Sequence, residues 1–464
     1  MVTHEELAAQ LTDAGQSQVL AFWDELSAAQ QSSLLAQLEA VDFELINQLV
    51  QGEDAAPDWA ALAAKAEPPR AIRLDSTGNE FSPDEAIARG EQALRDGQLG
   101  LILVAGGQGT RLGFDHPKGM FPLGPVSKRT LFQILIERLR AVANRYGVSI
   151  PMYLMTSPAT HDETIAFLDQ HDRFGLKEDE LQIFCQGVMP AIDARTGKLL
   201  LAERDSLALS PDGHGGTLAA LVKEGCMADA QKRNIEHLFY CHIDNPLAQI
   251  CDPKLIGYHL LANSDMTSQA VKKRAADEKV GNVVTIGGVT QIIEYIDLPP
   301  QYGQQKQGDG SLKLWAGNIG VHTFRRSFLE QAASQKDSLP FHRALKAVLH
   351  VDFAGTEVTP ASENAIKFER FIFDLLPLAQ NAIVVEVNAG DAFAPVKNAD
   401  GDPTDTPATA KAAMLARDAK LLCDAGATIT DGVGVEVSPL WALDSLEAAT
   451  KCPRAKITEA TYFG

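Results

Sequence analysis

A glycine-rich segment that follows an apolar run contains the residues best suited to phosphate chemistry. The stretch 101–113 (LILVAGGQGTRLG) begins with branched apolar residues, as a buried parallel strand does, and then reaches Gly106 and Gly107. Glycine lets the backbone bend and approach a ligand closely. Arg111 and Lys118 add two cations beside the N–H groups of this bend. Because oriented amides and cations together offset negative charge, the segment predicts a site for a nucleoside triphosphate.

Two commoner kinds of glycine loop do not match this segment. In a Walker A loop, glycine is followed by lysine and then by serine or threonine, whereas Lys118 is followed by glycine and methionine. The dinucleotide fingerprint G-x-G-x-x-G is followed by a strand that ends in an acidic residue. Here one more residue separates the last two glycines, and the next apolar segment, 151–156 (PMYLMT), ends without a carboxylate. The pattern therefore argues against a dinucleotide-dependent oxidoreductase.

Apolar segments alternate with helical patterns on both sides of this loop. Such alternation predicts an α/β fold with a doubly wound, mixed or parallel sheet of the Rossmann type, because parallel strands need helical crossovers. The predicted strands are 99–107, 151–157, 181–186 and 237–244, and the predicted helices are 130–146 and 159–171.

Polar residues follow several of the predicted strands. Ligands of doubly wound sheets lie beyond the carboxyl ends of the strands, and the glycine loop, Gln186 and Asp244 all fall at such ends. A carboxylate that faces phosphates there suits Mg²⁺, which prefers oxygen ligands and shares them with substrate phosphates. The sequence thus predicts one shared site, with Asp244 as a candidate magnesium ligand.

The glycine loop and the segments after it resemble one known family. The pattern LxxGGxGTRLGxxxPK is the signature of the UDP-sugar pyrophosphorylases, and VAGGQGTRLGFDHPKGMFPLG is most similar to the UDP-N-acetylhexosamine pyrophosphorylase branch. The resemblance continues through FCQGVMPAID, LSPDGHGG, EKVGNVV, AGNIGVH and FAPVKNADG, and it covers nearly the whole chain. It implies a nucleotide-diphospho-sugar transferase-like core. The implied enzyme is a uridylyltransferase that converts UTP and N-acetylglucosamine 1-phosphate reversibly into UDP-N-acetylglucosamine and pyrophosphate, with Mg²⁺.

The resemblance also implies roles for single residues in the matching segments. For Arg111 and Lys118 the residue types agree with it, since an arginine can fork two phosphate oxygens and a lysine acts as a point charge. The implied set is Arg111, Lys118 and Lys397 in catalysis, Gly106, Gly107, Gln186, Gly213 and His214 at the nucleotide, Gly281, Glu294, Tyr295 and Asn318 at the sugar, and Asp244 at the metal, with His322 and Lys367 as further candidates.

One residue departs from the pattern of this branch. His214 lies where the hexosamine branch more often has another polar residue and the glucose branch has histidine. Glucose 1-phosphate, or a range of hexose phosphates, is therefore the alternative substrate. A silent UDP-sugar sensor is a third possibility, but a sensor has little use for the triphosphate and metal residues Arg111, Lys118, Asp244 and Lys397.

The composition is that of an acidic globular protein. Its 464 residues, 45% of them hydrophobic and 22% charged, are enough for a large core. The formal net charge of −20 argues against nucleic acid and anionic membranes as partners, since both attract basic surfaces. No apolar run is long enough to span a bilayer, and MVTHEELAAQLTDAG lacks the features of a signal peptide. Six scattered cysteines without C-x-x-C spacing indicate free thiols and a cytoplasmic location.

Three parts of the chain differ in pattern, while the oligomeric state stays open. The first part is helical, with its clearest amphipathic stretch at 27–50, and Ser82 before Pro83 predicts a helix start. The last part has a predicted helix at 407–424, followed by glycine turns and short strands or partial β-helix turns. The predicted boundaries are 1–95 for the helical segment, 96–392 for the nucleotidyltransferase domain and 393–464 for a small β-rich domain.

Overall fold

Three separate segments of the chain make up each of the two units into which the structure divides. The computed structural model describes residues 4–52, 57–75, 77–335, 338–452 and 455–464. The larger unit contains Trp59–Cys185, Leu218–Ser338 and Leu375–Gly464, and the smaller unit contains Met1–Asp58, Gln186–Thr217 and Leu339–Asp374. The boundaries of these units differ from those of the predicted segments 1–95, 96–392 and 393–464. The predicted division into three parts therefore stays a prediction.

A ten-stranded sheet forms the centre of the larger unit. Its strands are rich in valine, isoleucine, leucine and aromatic residues, which pack well on a pleated surface. In chain order they are β1 (Ala71–Ile72), β2 (Leu99–Val104), β3 (Met152–Thr156), β4 (Leu181–Cys185), β5 (His237–His242), β6 (Met266–Lys272), β7 (Asn282–Ile286), β8 (Val289–Ile293), β9 (Ala316–Arg325) and β10 (Ala382–Val387).

The sheet is mostly parallel. Its order is β1-β10-β6-β9-β5-β2-β3-β4, with β7 paired to both β8 and β9. Along this order only β9 is antiparallel to its neighbours, β5 and β6. All six residues of β2 are buried, as expected for a strand in the middle of an α/β sheet. The predicted α/β fold with a mixed sheet is confirmed.

Helices connect the strands of the larger unit, and the helix start predicted at Ser82 agrees with the structure. Ser82 accepts a hydrogen bond from the Glu85 backbone N–H at 3.2 Å, and the Glu85 carboxylate accepts one from the Ser82 N–H at 2.9 Å. None of the helices in the described part of the chain is long and apolar enough to cross a bilayer. The helices are Trp59–Ala64, Pro83–Arg95, Leu131–Tyr146, His161–Gln170, Gly216–Lys223 (which begins in the smaller unit), Cys226–Lys232, Pro253–Leu261, Pro300–Gly303, Arg326–Ala333, Ala389–Ala392, Pro407–Asp424 and Ser445–Lys451.

The last part of the larger unit contains the predicted helix Pro407–Asp424 and short strands. Two pairs of these strands are parallel, which is the pairing that β-helix turns use. The pairs are Thr428–Ile429 with Lys456–Ile457 and Val435–Val437 with Thr461–Phe463.

Glu436 in the second pair fixes a loop that follows the glycine-rich segment. Its side chain is only 3% exposed. The carboxylate accepts hydrogen bonds from the backbone N–H groups of Val126 and Ser127, each at 2.7 Å, and from the Ser127 hydroxyl at 2.6 Å. These three hydrogen bonds satisfy the buried carboxylate and hold the loop in place.

The smaller unit combines helices with three small sheets around an apolar core that includes Leu7, Leu38, Leu49 and Phe368. The predicted amphipathic stretch 27–50 forms two helices. The strands of the smaller unit are Val188–Pro190, Ile192–Asp193, Leu201–Glu203, Ser206–Leu207, Leu209–Pro211, His342–Lys346, His350–Val351, Glu357–Val358 and Ala365–Glu369. The helices of this unit are His4–Asp13, Ala28–Glu39 and Phe43–Gln51.

Asp42 explains why the stretch is interrupted. Its carboxylate accepts a hydrogen bond from the Leu45 backbone N–H at 2.9 Å, and a residue that caps a helix in this way begins a new one.

Candidate active site

The glycine-rich segment folds back on itself directly after β2. The backbone N–H of Lys118 donates to Gly107 O at 3.0 Å, so the predicted phosphate-binding lysine lies opposite the end of the strand. Ser157, which follows β3, donates its hydroxyl to Gly106 O at 2.7 Å. A Cβ atom on Gly107 would have no heavy atom within 4 Å, so its Cα faces open space. The loop is therefore fixed and leaves room for a ligand at the backbone.

Asp244 and Lys397 come from distant parts of the chain and are joined through the backbone. The N–H of Ile243 donates to Val104 O at 2.9 Å, which aligns the end of β5 with the end of β2. The N–H of Val396, directly before Lys397, donates to Asp244 O at 2.8 Å. Main-chain hydrogen bonds thus hold the candidate metal ligand beside the candidate lysine at the carboxyl edge of the sheet.

The charges of four predicted site residues act on one another. Burial lowers the pKa of the Lys118 amine, Asp244 opposes this effect, and Lys397 and Arg111 lower the pKa further. The structure therefore brings Arg111, Lys118, Asp244 and Lys397 together in one cluster, although their roles stay predictions. Three cations around one carboxylate are the groups that a polyphosphate with a divalent ion requires.

Asp244 provides a single carboxylate to this charged cluster. Within the described ranges, no group of three or more histidine, cysteine, aspartate or glutamate side chains could hold a metal ion by itself. Mg²⁺ commonly takes one or two carboxylates from a protein and its other oxygen ligands from substrate phosphates and water. The Asp244 carboxylate beside the predicted phosphate-binding cations fits that mode of binding.

Three of the four predicted sugar residues lie together at the β7–β8 hairpin. The N–H of Asn318 in β9 donates to Gly281 O at 2.8 Å. A Cβ atom on Gly281 would lie 2.5 Å from Glu294 Oε1, so only glycine leaves space for this carboxylate. Asn318 Oδ1 in turn accepts a hydrogen bond from the Gly320 N–H at 3.1 Å. Tyr295 follows Glu294 and is 43% exposed.

The predicted uracil-binding segments lie in the smaller unit, where they surround a buried carboxyl. Gln186 is buried, and the Asp212 N–H donates to Gly187 O at 3.1 Å. Asp212 is 7% exposed, and burial raises its pKa to about 6 although Arg370 opposes the shift. A Cβ atom on Gly187 would lie 2.8 Å from Asp212 Oδ2, and one on Gly216 would overlap Oδ1.

Gly213 and His214 pack against the segment 370–373 of the same unit. Gly213 has a φ of +84°, and a Cβ atom there would overlap the carbonyl of Arg370. His214 stacks on Phe371 with ring centroids 5.2 Å apart. Its Nδ1 accepts a hydrogen bond from the Ile372 N–H at 3.2 Å, so this ring nitrogen is unprotonated.

Two residues at the charged cluster are absent from the sequence-based set. His242 lies two residues before Asp244, and burial lowers the pKa of its ring, with Asp244 opposing and Lys397 and Lys118 reinforcing the shift. The period of two along β5 gives a signal for it, since alternate residues share one face. Asp405, with a φ of +60°, accepts backbone hydrogen bonds from Lys397 at 2.7 Å and from the next residue at 3.0 Å. No local pattern marks Asp405.

The two further candidates are Lys367 and His322. Lys367 is part of the strand Ala365–Glu369 in the smaller unit, and its role stays a prediction. His322 in β9 is fully buried, its Nδ1 lies 2.9 Å from the Ser268 hydroxyl, and burial lowers its pKa to about 3. The structure places His322 in the interior of the sheet.

Comparison with known proteins defines the class to which this fold and cluster belong. The chain matches the sequence pattern of the UTP–glucose-1-phosphate uridylyltransferase family over residues 69–419. It belongs to this family of uridylyltransferases, which confirms the predicted class of enzyme.

Relatives within the family agree with the branch that the sequence indicated. The chain is 35% identical to mouse UDP-N-acetylhexosamine pyrophosphorylase-like protein 1, over 94% of this chain and 89% of the mouse protein. It is also 35% identical to the UDP-N-acetylglucosamine pyrophosphorylase of Saccharomyces cerevisiae, over 92% of each chain. The Trypanosoma brucei UDP-N-acetylglucosamine pyrophosphorylase, crystallised with an inhibitor, is 25% identical with a TM-score of 0.82 over 99% of both chains. The predicted resemblance is confirmed.

Proposed function

We propose that this protein transfers the uridylyl group of UTP to N-acetylglucosamine 1-phosphate, forming UDP-N-acetylglucosamine and pyrophosphate. The observation that carries the proposal is the cluster of Arg111, Lys118, Asp244 and Lys397, which lies at the sheet edge where ligands of α/β folds bind. The similarity to enzymes named for this product, over nearly the whole chain, supports the choice of substrates.

The reaction needs positioning and charge compensation rather than a protein nucleophile. An oxygen of the sugar phosphate attacks the α-phosphorus of UTP, and the bond from that phosphorus to the pyrophosphate oxygen breaks. Arg111 and Lys118 offset the charge of the triphosphate and of the leaving pyrophosphate. Lys397, in the segment that follows the helix Ala389–Ala392, acts on the same phosphates. Because backbone hydrogen bonds fix the main chain at Lys118 and Lys397 before the substrates arrive, little reorganisation of these segments accompanies the reaction.

Magnesium is part of the proposal, with Asp244 as the residue that would hold it. When bound, Mg²⁺ draws electron density from the phosphate oxygens that it contacts. The Asp244 backbone carbonyl is occupied by the Val396 N–H, which fixes the residue while the carboxylate remains available for an ion. A cytoplasmic location also belongs to the proposal, supported by six free thiols.

The sugar is held, in this proposal, by the group at the β7–β8 hairpin. Glu294 follows β8 and Asn318 lies in β9, and the lack of a side chain at Gly281 leaves space for the Glu294 carboxylate. A pocket with a few fixed polar groups orients a sugar through its hydroxyl and amide groups. The uracil contacts of Gln186, Gly213 and His214 stay predictions from the resemblance.

Glucose 1-phosphate is the second candidate substrate, and His214 is the observation that favours it. Uridylyl transfer by the purified protein should therefore be compared with the 1-phosphates of N-acetylglucosamine, N-acetylgalactosamine, glucose and galactose. We expect the highest kcat/KM with N-acetylglucosamine 1-phosphate. A higher kcat/KM with glucose 1-phosphate would overturn the sugar assignment, and no pyrophosphate release with any of the four would overturn the reaction.

A further inference from the structure

The strand β9, which contains the predicted sugar residue Asn318, pairs irregularly with β6. Ser268 of β6 pairs with His322 of β9. Two residues along β6, Ala270 pairs with Asn318 instead of Gly320, so three residues of β9 lie opposite one residue of β6. This irregularity is a β-bulge, and Gly320 within it has a φ of +68°, a conformation that favours glycine. Bulges bend a strand and re-aim its side chains, and this one ends at Asn318.

The bulge fixes the orientation of the Asn318 amide. Its Oδ1 accepts a hydrogen bond from the Gly320 N–H at 3.1 Å, and since an N–H only donates, the oxygen of the amide must face it. Among the residues that the structure describes, no acceptor bonds to Asn318 Nδ2, and this atom is accessible to solvent. The amide NH₂ is therefore the group that Asn318 presents to a ligand, and its partner has to be an acceptor such as a hydroxyl or carbonyl oxygen.

His242 supports the bulge from the neighbouring strand β5. Tyr240 of β5 pairs with His322 of β9, and two residues further on His242 reaches the level of Gly320. A Cβ atom on Gly320 would lie 3.3 Å from His242 Cδ2 and 3.4 Å from Nε2, so the imidazole ring covers the space beside this glycine. The same Nε2 lies 3.1 Å from the hydroxyl of Tyr240, which is fully buried. The buried tyrosine thus fixes the ring, and the ring limits the positions open to the bulge.

His242 also adjoins the charged cluster. Its ring interacts electrostatically with Asp244, Lys397 and Lys118. One side chain therefore lies next to the residues proposed for the phosphates and the metal and also next to the bulge that orients the proposed sugar residue. A sugar 1-phosphate spans the same two regions, because its phosphate reacts at the cluster while its ring lies at the β7–β8 hairpin.

We propose that His242 is a positioning residue for the sugar. It holds the bulge at Gly320, and through it the Asn318 amide, in the orientation that donates to an oxygen of the sugar. This inference rests on the proposed function and deepens it, because it assigns sugar recognition to a residue outside the sugar-binding group. A smaller side chain at position 242 leaves space beside Gly320, so the bulge shifts and Asn318 donates in a poorer direction.

Isothermal titration calorimetry of the full-length protein with UDP-N-acetylglucosamine and with UDP, each with Mg²⁺, separates the sugar contact from the nucleotide contact. We expect His242→Ala to raise the Kd for UDP-N-acetylglucosamine about tenfold and to leave the Kd for UDP unchanged. An equal rise for both ligands would mean that His242 acts through the charged cluster, and either this result or an unchanged Kd for both would overturn the inference. Equal affinity of the unmodified protein for both ligands would instead overturn the sugar assignment on which the inference rests.

A double-mutant cycle tests whether His242 acts through Asn318. In the Asn318→Ala background we expect His242→Ala to change the Kd for UDP-N-acetylglucosamine less than about twofold, because the amide that it positions is already absent. The full tenfold change in that background would contradict the assignment. Partial unfolding of a variant lowers the stoichiometry of the titration but not the affinity of the folded fraction.

Two further variants test the inference if His242→Ala does not fold. Tyr240→Phe removes only the hydroxyl beside Nε2, and we expect about a threefold rise in the Kd for UDP-N-acetylglucosamine. Gly320→Ala pushes a methyl group toward the ring, and we expect a rise of about tenfold or more. Gly147→Ala is the matched control, since Gly147 has the same φ of +68° and a Cβ atom there would have no heavy atom within 4 Å. An equal rise in Gly147→Ala and Gly320→Ala would reduce the effect to backbone strain and overturn the inference.

Discussion

Charge organises the cluster of the larger unit, whereas close packing around glycines organises the uracil-binding segments predicted in the smaller unit. At the sheet edge, the charge of Lys118 interacts with those of Arg111, Asp244 and Lys397, and a Cβ atom on Gly107 would have no heavy atom within 4 Å. Around Asp212 the opposite holds, because Gly187, Gly213 and Gly216 are each in contact with a neighbour that a side chain would displace.

The difference separates two ways in which a glycine-rich motif can serve a nucleotide. Open glycines beside cations suit phosphates, which are recognised by charge and by backbone N–H groups. Crowded glycines around a buried carboxyl fix the shape of a loop, which suits the recognition of a flat base. Substitutions at one region should therefore change catalysis with little loss of stability, and substitutions at the other should change stability first.

The largest effect is expected at Lys118. Lys118→Ala removes a cation from the centre of the cluster, and we expect kcat to fall about 10²- to 10³-fold, because a fixed charge that compensates the transition state is lost. Thermal unfolding should change little, since the Lys118 hydrogen bond to Gly107 uses the backbone. Lys232→Ala, at an exposed lysine, serves as the control. A near-normal kcat would contradict the view that this cluster acts through its charges.

Asp244→Asn should have the next largest effect. The amide keeps the size of the side chain and the Val396 bond, which uses the Asp244 backbone carbonyl, but it loses the negative charge. We expect the Mg²⁺ concentration for half-maximal activity to rise about 10- to 100-fold. A magnesium titration of initial rates measures this shift. An unchanged titration would remove Asp244 from the metal site.

Matched glycine substitutions compare the two regions directly. Gly107→Ala adds a methyl group in open space, so we expect normal thermal unfolding and about a tenfold higher KM for UTP, since the backbone is no longer approachable. Gly216→Ala forces a methyl group onto Asp212, and we expect it to lower the free energy of unfolding by about 1–3 kcal/mol. The reverse pattern would contradict the comparison.

A further prediction concerns the ionisation of Asp212. Because its pKa of about 6 is above the ordinary value of 3.8, the folded state favours the neutral carboxyl. This contribution to stability is complete below about pH 4 and is lost as the pH rises through 6. Asp212→Asn cannot ionise, so its stability relative to the unmodified protein should rise by up to about 3 kcal/mol between pH 4 and pH 7.5. Urea unfolding at both pH values measures it, and a constant difference would exclude ionisation at this site.

Local patterns were sufficient for much of the larger unit. The helix predicted at 407–424 has those bounds, and Ser82 begins a helix as expected, because caps and periodicity act within a few residues. The strand predicted at 99–107 ends at Val104, since the glycine turn starts one residue before Gly106. The smaller unit could not be predicted in this way, because it joins three distant segments through long-range packing.

In the candidate site, too, some residues could be predicted from local patterns and others depend on long-range contacts. Asp244 follows a recognisable strand, and its place beside the glycine loop follows from the parallel order of β5 and β2. Asp405 lies in a polar segment without periodicity, and its backbone carbonyl accepts the Lys397 N–H. Residues that act through main-chain atoms leave no trace in the type of side chain, so sequence patterns alone do not reveal them.

Glu436 has a consequence for how shortened gene products are interpreted. A message with a stop codon shortly before this position still encodes Arg111, Lys118, Asp244 and Lys397, and an inventory of essential residues would score it as intact. The protein it yields lacks the acceptor for the Val126 and Ser127 amides. Such an allele would keep all four predicted site residues and still lack the contact that holds the loop in place.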